Sequence, residues 1–216
     1  ISVLDENGDM FVALSDMSVL QEMTVDFIHS KSSIIKGSRL ITCDPALHPD
    51  VMEEILNLYS DTIPVFVDPV SCAYAETIVD FIGKFHTAKP NILETEILSG
   101  MKIKSKKDLY KAAEKILDKG LKRIFISLGA DGCLYMDREG KHIERKLAPV
   151  EHMVNASGAG DAFMAAVIYS YINAFTLDKT IDYGLAAGIV AISHEKTINP
   201  NMSVSLIENI LKERKI

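Results

Sequence analysis

The chain has 216 residues, 48% of them hydrophobic and 25% charged, with a formal net charge of −7 at pH 7. This is the composition of a soluble globular protein with one sizeable core, and no apolar run reaches the roughly 18 residues needed to cross a bilayer. The acidic balance opposes attraction to phosphate backbones, so neither nucleic acid nor membrane is expected as a partner, and a cytoplasmic location is expected.

In chain order, Ile1 to Leu14 alternates apolar and polar residues around Glu6-Asn7-Gly8-Asp9, the turn chemistry of a β-hairpin. The chain opens inside this strand-like run without a methionine, so a further N-terminal segment is expected to precede it. From about Thr24, strands alternate with helices. Leu40 to Asp44 reads as a strand, Pro49 to Tyr59 as a helix, Pro64 to Asp68 as a strand and Tyr74 to Phe85 as a helix. A helix from Ser105 has a capping serine, Asp108 three residues on and Gly120 as its stop. Lys122 to Leu128 is a buried strand by composition, and Cys133 to Asp137 pairs with the polar run after Gly140. Three helices close the chain, at about 159–173, 178–194 and 203–212. Cys43, Cys72 and Cys133 form no CxxC and sit in apolar runs, which predicts reduced core residues. The alternation predicts an α/β fold whose mainly parallel sheet is flanked by helices, with ligands outside the carboxyl ends of the strands.

Three segments carry candidate chemistry. Asn155-Ala156-Ser157-Gly158-Ala159-Gly160-Asp161 precedes the apolar helix FMAAVIYSYI. Small residues there leave the first helical N–H groups uncrowded, and the helix dipole adds to their attraction for an anion. Asp161 in the first turn could accept a proton from an incoming hydroxyl beside a bound phosphate. The structural alternative is a tight turn whose acidic residue favours a helix start. The pattern is neither a P-loop nor a dinucleotide fingerprint.

Asn91 and Glu94, in Lys89-Pro90-Asn91-Ile92-Leu93-Glu94, are three apart at a helix start and face one way. An amide and a carboxylate there can organise a hydrated Mg2+ and a phosphate oxygen; an Asn cap with Glu at the third helical position is the alternative. Ser127-Leu128-Gly129-Ala130-Asp131-Gly132 ends a strand in a turn that lets backbone approach a ligand closely, or else is a plain hairpin connection.

In this order the three segments resemble the ribokinase-like (PfkB) carbohydrate kinase family, with its N-x-x-E motif, strand-end glycine turn and G-A-G-D helix start. The resemblance implies a ribokinase-like fold in which residues 1–17 are part of a small β lid and residues 18–216 are the nucleotide-binding α/β core. The resemblance also implies that the family's substrate-binding N-terminal segment is the part expected to precede residue 1. It implies ATP and Mg2+ as cofactors, Asp161 as catalytic base and the Gly158, Ala159 and Gly160 amides as anion hole. Asn91 and Glu94 would organise Mg-ATP, Glu94 through water, and Ser127, Gly129, Asp131 and Gly132 would form the nucleotide-side turn. Ala187 and Gly188 would leave room for adenine, close helix packing being the alternative. Asp16 and Met17 would close over ribose or uracil, or else mark an exposed hairpin end. A K+ site near Asn155 and Ser157 also follows from the family, although Asn155 stands where many relatives have Asp. Pairing of lids between subunits would give a homodimer.

Other stretches, among them Gly8-Asp9-Met10 through Asp16-Met17, Val65 to Ser71, His86 to Asn91, Leu98 to Gly100 and Asn199-Pro200, resemble the branch of the family acting on the nucleoside pseudouridine. The implied reaction is phosphorylation of its 5′-hydroxyl. The alternatives are another sugar or nucleoside acceptor, such as ribose, or a non-catalytic relative that binds such a ligand.

Overall fold

The computed structural model describes residues 2–4, 10–14, 16–147 and 158–214. The chain divides into two compact units, one of residues 17–128 and 134–144, the other of residues 1–16, 129–133 and 145–216.

Apart from the end residues Cys133 and Arg145, which belong to the second unit, the first unit holds a six-stranded sheet whose strands lie side by side in chain order: β3 (Ile41–Cys43), β4 (Val65–Val67), β5 (Thr87–Ala88), β6 (Arg123–Ser127), β7 (Cys133–Asp137) and β8 (His142–Arg145). β3 to β6 are parallel, with Ile41 opposite Val65, Phe66 opposite Thr87 and Thr87 opposite Arg123. Parallel neighbours need crossovers, and these are supplied by α3 (Pro49–Tyr59), α4 (Cys72–Thr77), α5 (Ile92–Ser99) and α6 (Lys106–Asp118). Short connections force β7 and β8 to run antiparallel to their neighbours.

Strand periodicity sorts the side chains. Val65, Val67, Ala88, Ile124, Ile126, Leu134 and Met136 share one core with Val51, Ile55, Leu56 and Tyr59 of α3 and Leu109, Ala113 and Ile116 of α6. Phe66, Thr87, Phe125 and Tyr135, displaced by one residue, point to the opposite face and are also buried. Burying each large apolar side chain stabilises the fold by about 1.5–3 kcal/mol before entropy is counted.

Local signals set the helix limits. His48 caps α3 ahead of Pro49, and the Ser105 hydroxyl oxygen accepts from the Asp108 amide at the start of α6. Gly100, at φ 65°, stops α5. Two expectations are corrected. The helix over 74–85 instead starts at Cys72, ends at Thr77, and resumes only as a 3-10 turn over Ile82–Lys84. The β-branched run Thr77-Ile78-Val79 is a poor helix former. Gly83 also lies so close to the 119–120 backbone that a Cβ there would strike the Lys119 carbonyl oxygen, a packing that places Gly83 outside the helix. Cys72 is exposed, because the first residue after the Ser71 cap faces outward; Cys43 and Cys133 are buried as expected. The unit also contains α1 (Val25–Ser30), capped by Thr24, and α2 (Ser32–Lys36).

In the second unit, β1 (Ser2–Leu4) and β2 (Met10–Ala13) form the antiparallel hairpin, with Ser2 opposite Ala13. The expected turn residues Glu6 to Asp9 lie outside the described residues. α7 (Ala159–Ile172), α8 (Leu177–Ile192) and α9 (Val204–Arg214) follow. Ala166, Tyr183, Ala186, Ala187, Val190 and Ile207 form their common core. Gly184 makes the α7–α8 contact possible, since a Cβ there would lie 2.8 Å from the Phe163 ring. Among the described residues, no helix is long and apolar enough to cross a membrane.

Candidate active site

In the first unit, the carboxyl edge of the sheet gathers charge. Asn91 caps α5 through a reciprocal pair of bonds: its Oδ1 accepts from the Glu94 amide at 2.9 Å, and Glu94 Oε2 accepts from the Asn91 amide at 2.9 Å. The Thr95 hydroxyl donates to the Asn91 carbonyl at 2.6 Å. The cap foreseen as a structural alternative is therefore present. It leaves Asn91 exposed and Glu94 only 2% exposed, with its carboxylate fixed at the strand end. Ser127, at the end of β6, adjoins this point: its amide donates to the Pro90 carbonyl at 2.9 Å, and it bridges Asn91 in parallel register.

Two charged partners were not singled out from the sequence. Asp68, just beyond β4, pairs with the buried Lys89 at 3.0 Å. Burial pushes the Glu94 carboxyl above its ordinary range. The Asn91 amide opposes that rise, Asp68 adds to it and Lys89 opposes it. The signal that could have found this pair is a lone Asp and a lone Lys, each directly after an apolar strand. Between them runs a strained turn: Val70 sits at φ 64°, with the Ser71 amide donating to the Pro69 carbonyl at 2.6 Å. A β-branched residue rarely adopts that conformation.

Two carboxylates and one buried ammonium leave one net negative charge. That donor set fits a hydrated divalent cation, since Mg2+ takes one or two carboxylates and keeps several waters.

In the second unit, Gly158 caps α7 at φ 84°, a residue with no side chain to bond the helix start. A Cβ there would collide with the Thr197 carbonyl oxygen and lie 3.2 Å from Thr197 Cγ2, so only glycine fits. Among the described residues, the amides of Ala159, Gly160 and Asp161 find no acceptor, and the first turn retains its partial positive charge. Asp161 is exposed on that turn, while Phe163 and Met164 point inward. Ala187 is buried in the helical core. Gly188 is half-buried beside the same helix start, its Cβ position 3.7 Å from the Ala159 carbonyl oxygen.

The glycine turn forms a 3-10 turn over Gly129–Asp131 with all three residues exposed. Gly129 has φ 60° and nothing within 4 Å of a Cβ position, whereas Gly132, at φ 99°, is pressed against the backbone of Arg145 and Leu147. Asp16 and Met17 are both exposed, Met17 opening the 3-10 helix Ser18–Glu22. Asn155 and Ser157 lie outside the described residues.

Comparison with known proteins gives the family. Residues 5–203 match the model of the pfkB family carbohydrate kinases. Pseudouridine kinase of Escherichia coli strain K12 is 32% identical over 214 residues, covering 97% of this chain and 67% of that protein. Among solved structures, a protein of Clostridium perfringens assigned to the sugar kinases superposes with a TM-score of 0.82 at 36% identity, over 99% of this chain and 66% of that one. The ribokinase of Arabidopsis thaliana, solved with ribose and ATP, gives a TM-score of 0.76 at 18% identity over 85% of this chain and 59% of that one, a likeness of fold alone. The chain thus spans about three fifths to two thirds of the length of these relatives.

Proposed function

The chain belongs to the pfkB carbohydrate kinase family and has the ribokinase-like fold, and from that premise we propose that it transfers the γ-phosphoryl group of ATP to the 5′-hydroxyl of pseudouridine. The observation that carries the reading is the start of α7, where Gly158, at a positive φ with no room for a Cβ, precedes three amides that find no acceptor among the described residues, beside the carboxylate of Asp161. Free amide donors and a helix dipole stabilise the charge that develops on a transferring phosphoryl group. Asp161 takes the proton of the attacking hydroxyl, and the Gly158, Ala159 and Gly160 backbone holds the phosphoryl oxygens.

Glu94 would hold Mg2+, through water, with Asn91 and Asp68 beside it, and that ion would supply neutralisation of the charge on the phosphates of ATP. The turn of Gly129, Asp131 and Gly132, with Ser127 before it, takes the nucleotide side, and Gly188 gives the adenine room. The choice of pseudouridine rests on the 32% identity to the E. coli enzyme across nearly the whole chain and on the resemblance of the stretches from Val65 to Ser71 and from His86 to Asn91 to that branch of the family.

The test is steady-state turnover of the purified protein with Mg-ATP and, in turn, pseudouridine, uridine and ribose. Pseudouridine is expected to give the highest kcat/KM, and preference for ribose would overturn the acceptor. Asp161→Asn is expected to lower kcat by roughly 10²–10⁴-fold with ATP binding retained; near-normal turnover would remove Asp161 from the mechanism.

A further inference from the structure

The second unit contains an ion-pair clip that the proposed mechanism leaves unused. Gly132 ends the glycine turn with its α-carbon against the end of β8: a Cβ would run into the Arg145 carbonyl oxygen and approach the Leu147 amide nitrogen to 2.9 Å. The Arg145 side chain then reaches to two carboxylates one turn apart on α8. Its Nη2 lies 2.8 Å from Asp178 Oδ1, and its Nε lies 2.8 Å from Asp182 Oδ1. The first is an aligned hydrogen bond. The second is equally short but off-axis, so it acts as an ion pair between atoms that are both shielded from solvent. The Asp182 side chain is 18% exposed against 62% for Asp178, which makes Asp182 the partner of greater consequence. Farther along α8, Gly188 faces the Ala159 carbonyl oxygen and Gly184 faces the Phe163 ring, with no side chain of α8 interposed at either point.

We propose that Arg145 is a positioning residue for nucleotide binding, fixing the 129–132 turn to α8 and thereby to the start of α7. The inference rests on the reading of that turn as the nucleotide side. The physical case is continuity. The turn touches the Arg145 backbone, the Arg145 guanidinium grips the first two turns of α8, and α8 touches the first turn of α7 at backbone distance. A rigid path of this kind sets the separation between the two backbone segments assigned to the nucleotide. Displacements near an ångström at such segments cost large factors in affinity and rate. Lysine cannot substitute fully, because one ammonium lacks the planar fork that meets two carboxylates at once.

The experiment measures Mg-ATP affinity by calorimetry, and the two Michaelis constants, for the wild-type protein and for Arg145→Met, Arg145→Lys, Asp182→Asn and the Arg145→Met/Asp182→Asn double variant. Arg145→Met is expected to weaken Mg-ATP binding roughly tenfold with the acceptor KM within about twofold, Arg145→Lys to recover part of the loss, and the double variant to be no worse than Arg145→Met alone. If Arg145→Met does not fold, Arg145→Lys and Asp182→Asn carry the same comparison. ATP affinity within about twofold of wild type in folded variants, or equal weakening toward ATP and acceptor, overturns the proposal. A wild-type protein that binds no Mg-ATP would overturn the nucleotide assignment itself and this inference with it; wild-type binding with unmoved variants sinks only the role of Arg145.

Discussion

Gly158→Ala tests the start of α7 most directly. The substitution costs about 1–2 kcal/mol for a left-handed backbone that an L-residue resists. It also meets a steric conflict, because the new methyl group would overlap the Thr197 carbonyl oxygen and crowd Thr197 Cγ2 at 3.2 Å. Backbone cannot yield as a flexible side chain does, so Gly158 or the 197 segment must retreat by about an ångström, and the amides of Ala159 to Asp161 move with it. A shift of that size at a phosphoryl-stabilising cradle costs roughly 10²-fold in kcat. Gly140→Ala is the matched control, since Gly140 has nearly the same φ, 85°, but nothing within 4 Å of a Cβ. Urea unfolding and steady-state turnover are measured on both. Gly158→Ala is expected to lose more stability than Gly140→Ala and to be alone in losing turnover. If the two variants turn over alike, the cradle is not where the phosphoryl group sits.

Glu94→Gln keeps an acceptor for the Asn91 amide, so the cap survives; the apparent KM for Mg2+ is expected to rise on the order of tenfold, and an unchanged Mg2+ dependence would exclude Glu94 as the metal's partner. Burial raises the Glu94 carboxyl above its unfolded value, so its contribution to stability is full at low pH and is lost as pH rises through the folded-state value. Metal-free wild type should therefore lose stability relative to Glu94→Gln on that rise, as read by denaturation at a series of pH values. His86 behaves oppositely: burial first, then Arg123 and Lys122, lower it to about 4. Its contribution is complete above its unfolded value and lost as pH falls from about 6.5 toward about 4, worth roughly 2 kcal/mol after allowance for its partial exposure; His86→Gln should flatten that part of the stability profile, and an unaltered profile would contradict it. Val70→Gly should raise stability by about 1 kcal/mol by releasing the positive φ, and a lower unfolding midpoint would show that the turn is not strained.

Much of the fold was legible because local chemistry decided it. Asn91 with Glu94 and Ser105 with Asp108 are helix-end signals whose partners lie within a few residues, and each forms as the spacing predicts. The apolar strands β4, β6 and β7 are equally plain, since burial on both faces leaves continuous hydrophobic runs. What could not be read depends on tertiary placement. Asp68 meets Lys89 only because β4 and β5 lie side by side, and Arg145 meets Asp178 and Asp182 only because α8 passes the end of β8. A charged residue in a sequence declares no partner. The early end of α4 was hidden for a similar reason, because the close approach of Gly83 to Lys119 is a contact between distant segments.

The carboxyl edge of the sheet is where this chain departs furthest from what stability alone would choose. Asp68, Lys89 and Glu94 are charges held largely out of water, and well-packed apolar replacements for such groups are often neutral or stabilising. Beside them Val70 holds a conformation suited to glycine, a second cost at the same edge. The two costs have one consequence. If they serve binding of a cation and phosphates, then Glu94→Gln and Val70→Gly should each leave the protein at least as stable while only the former loses its Mg2+ response, because the charge meets the ligand whereas the strain fixes the loop that carries Asp68. Loss of stability in both would instead make this edge an ordinary part of the core and would leave the start of α7 as the sole support for phosphoryl transfer.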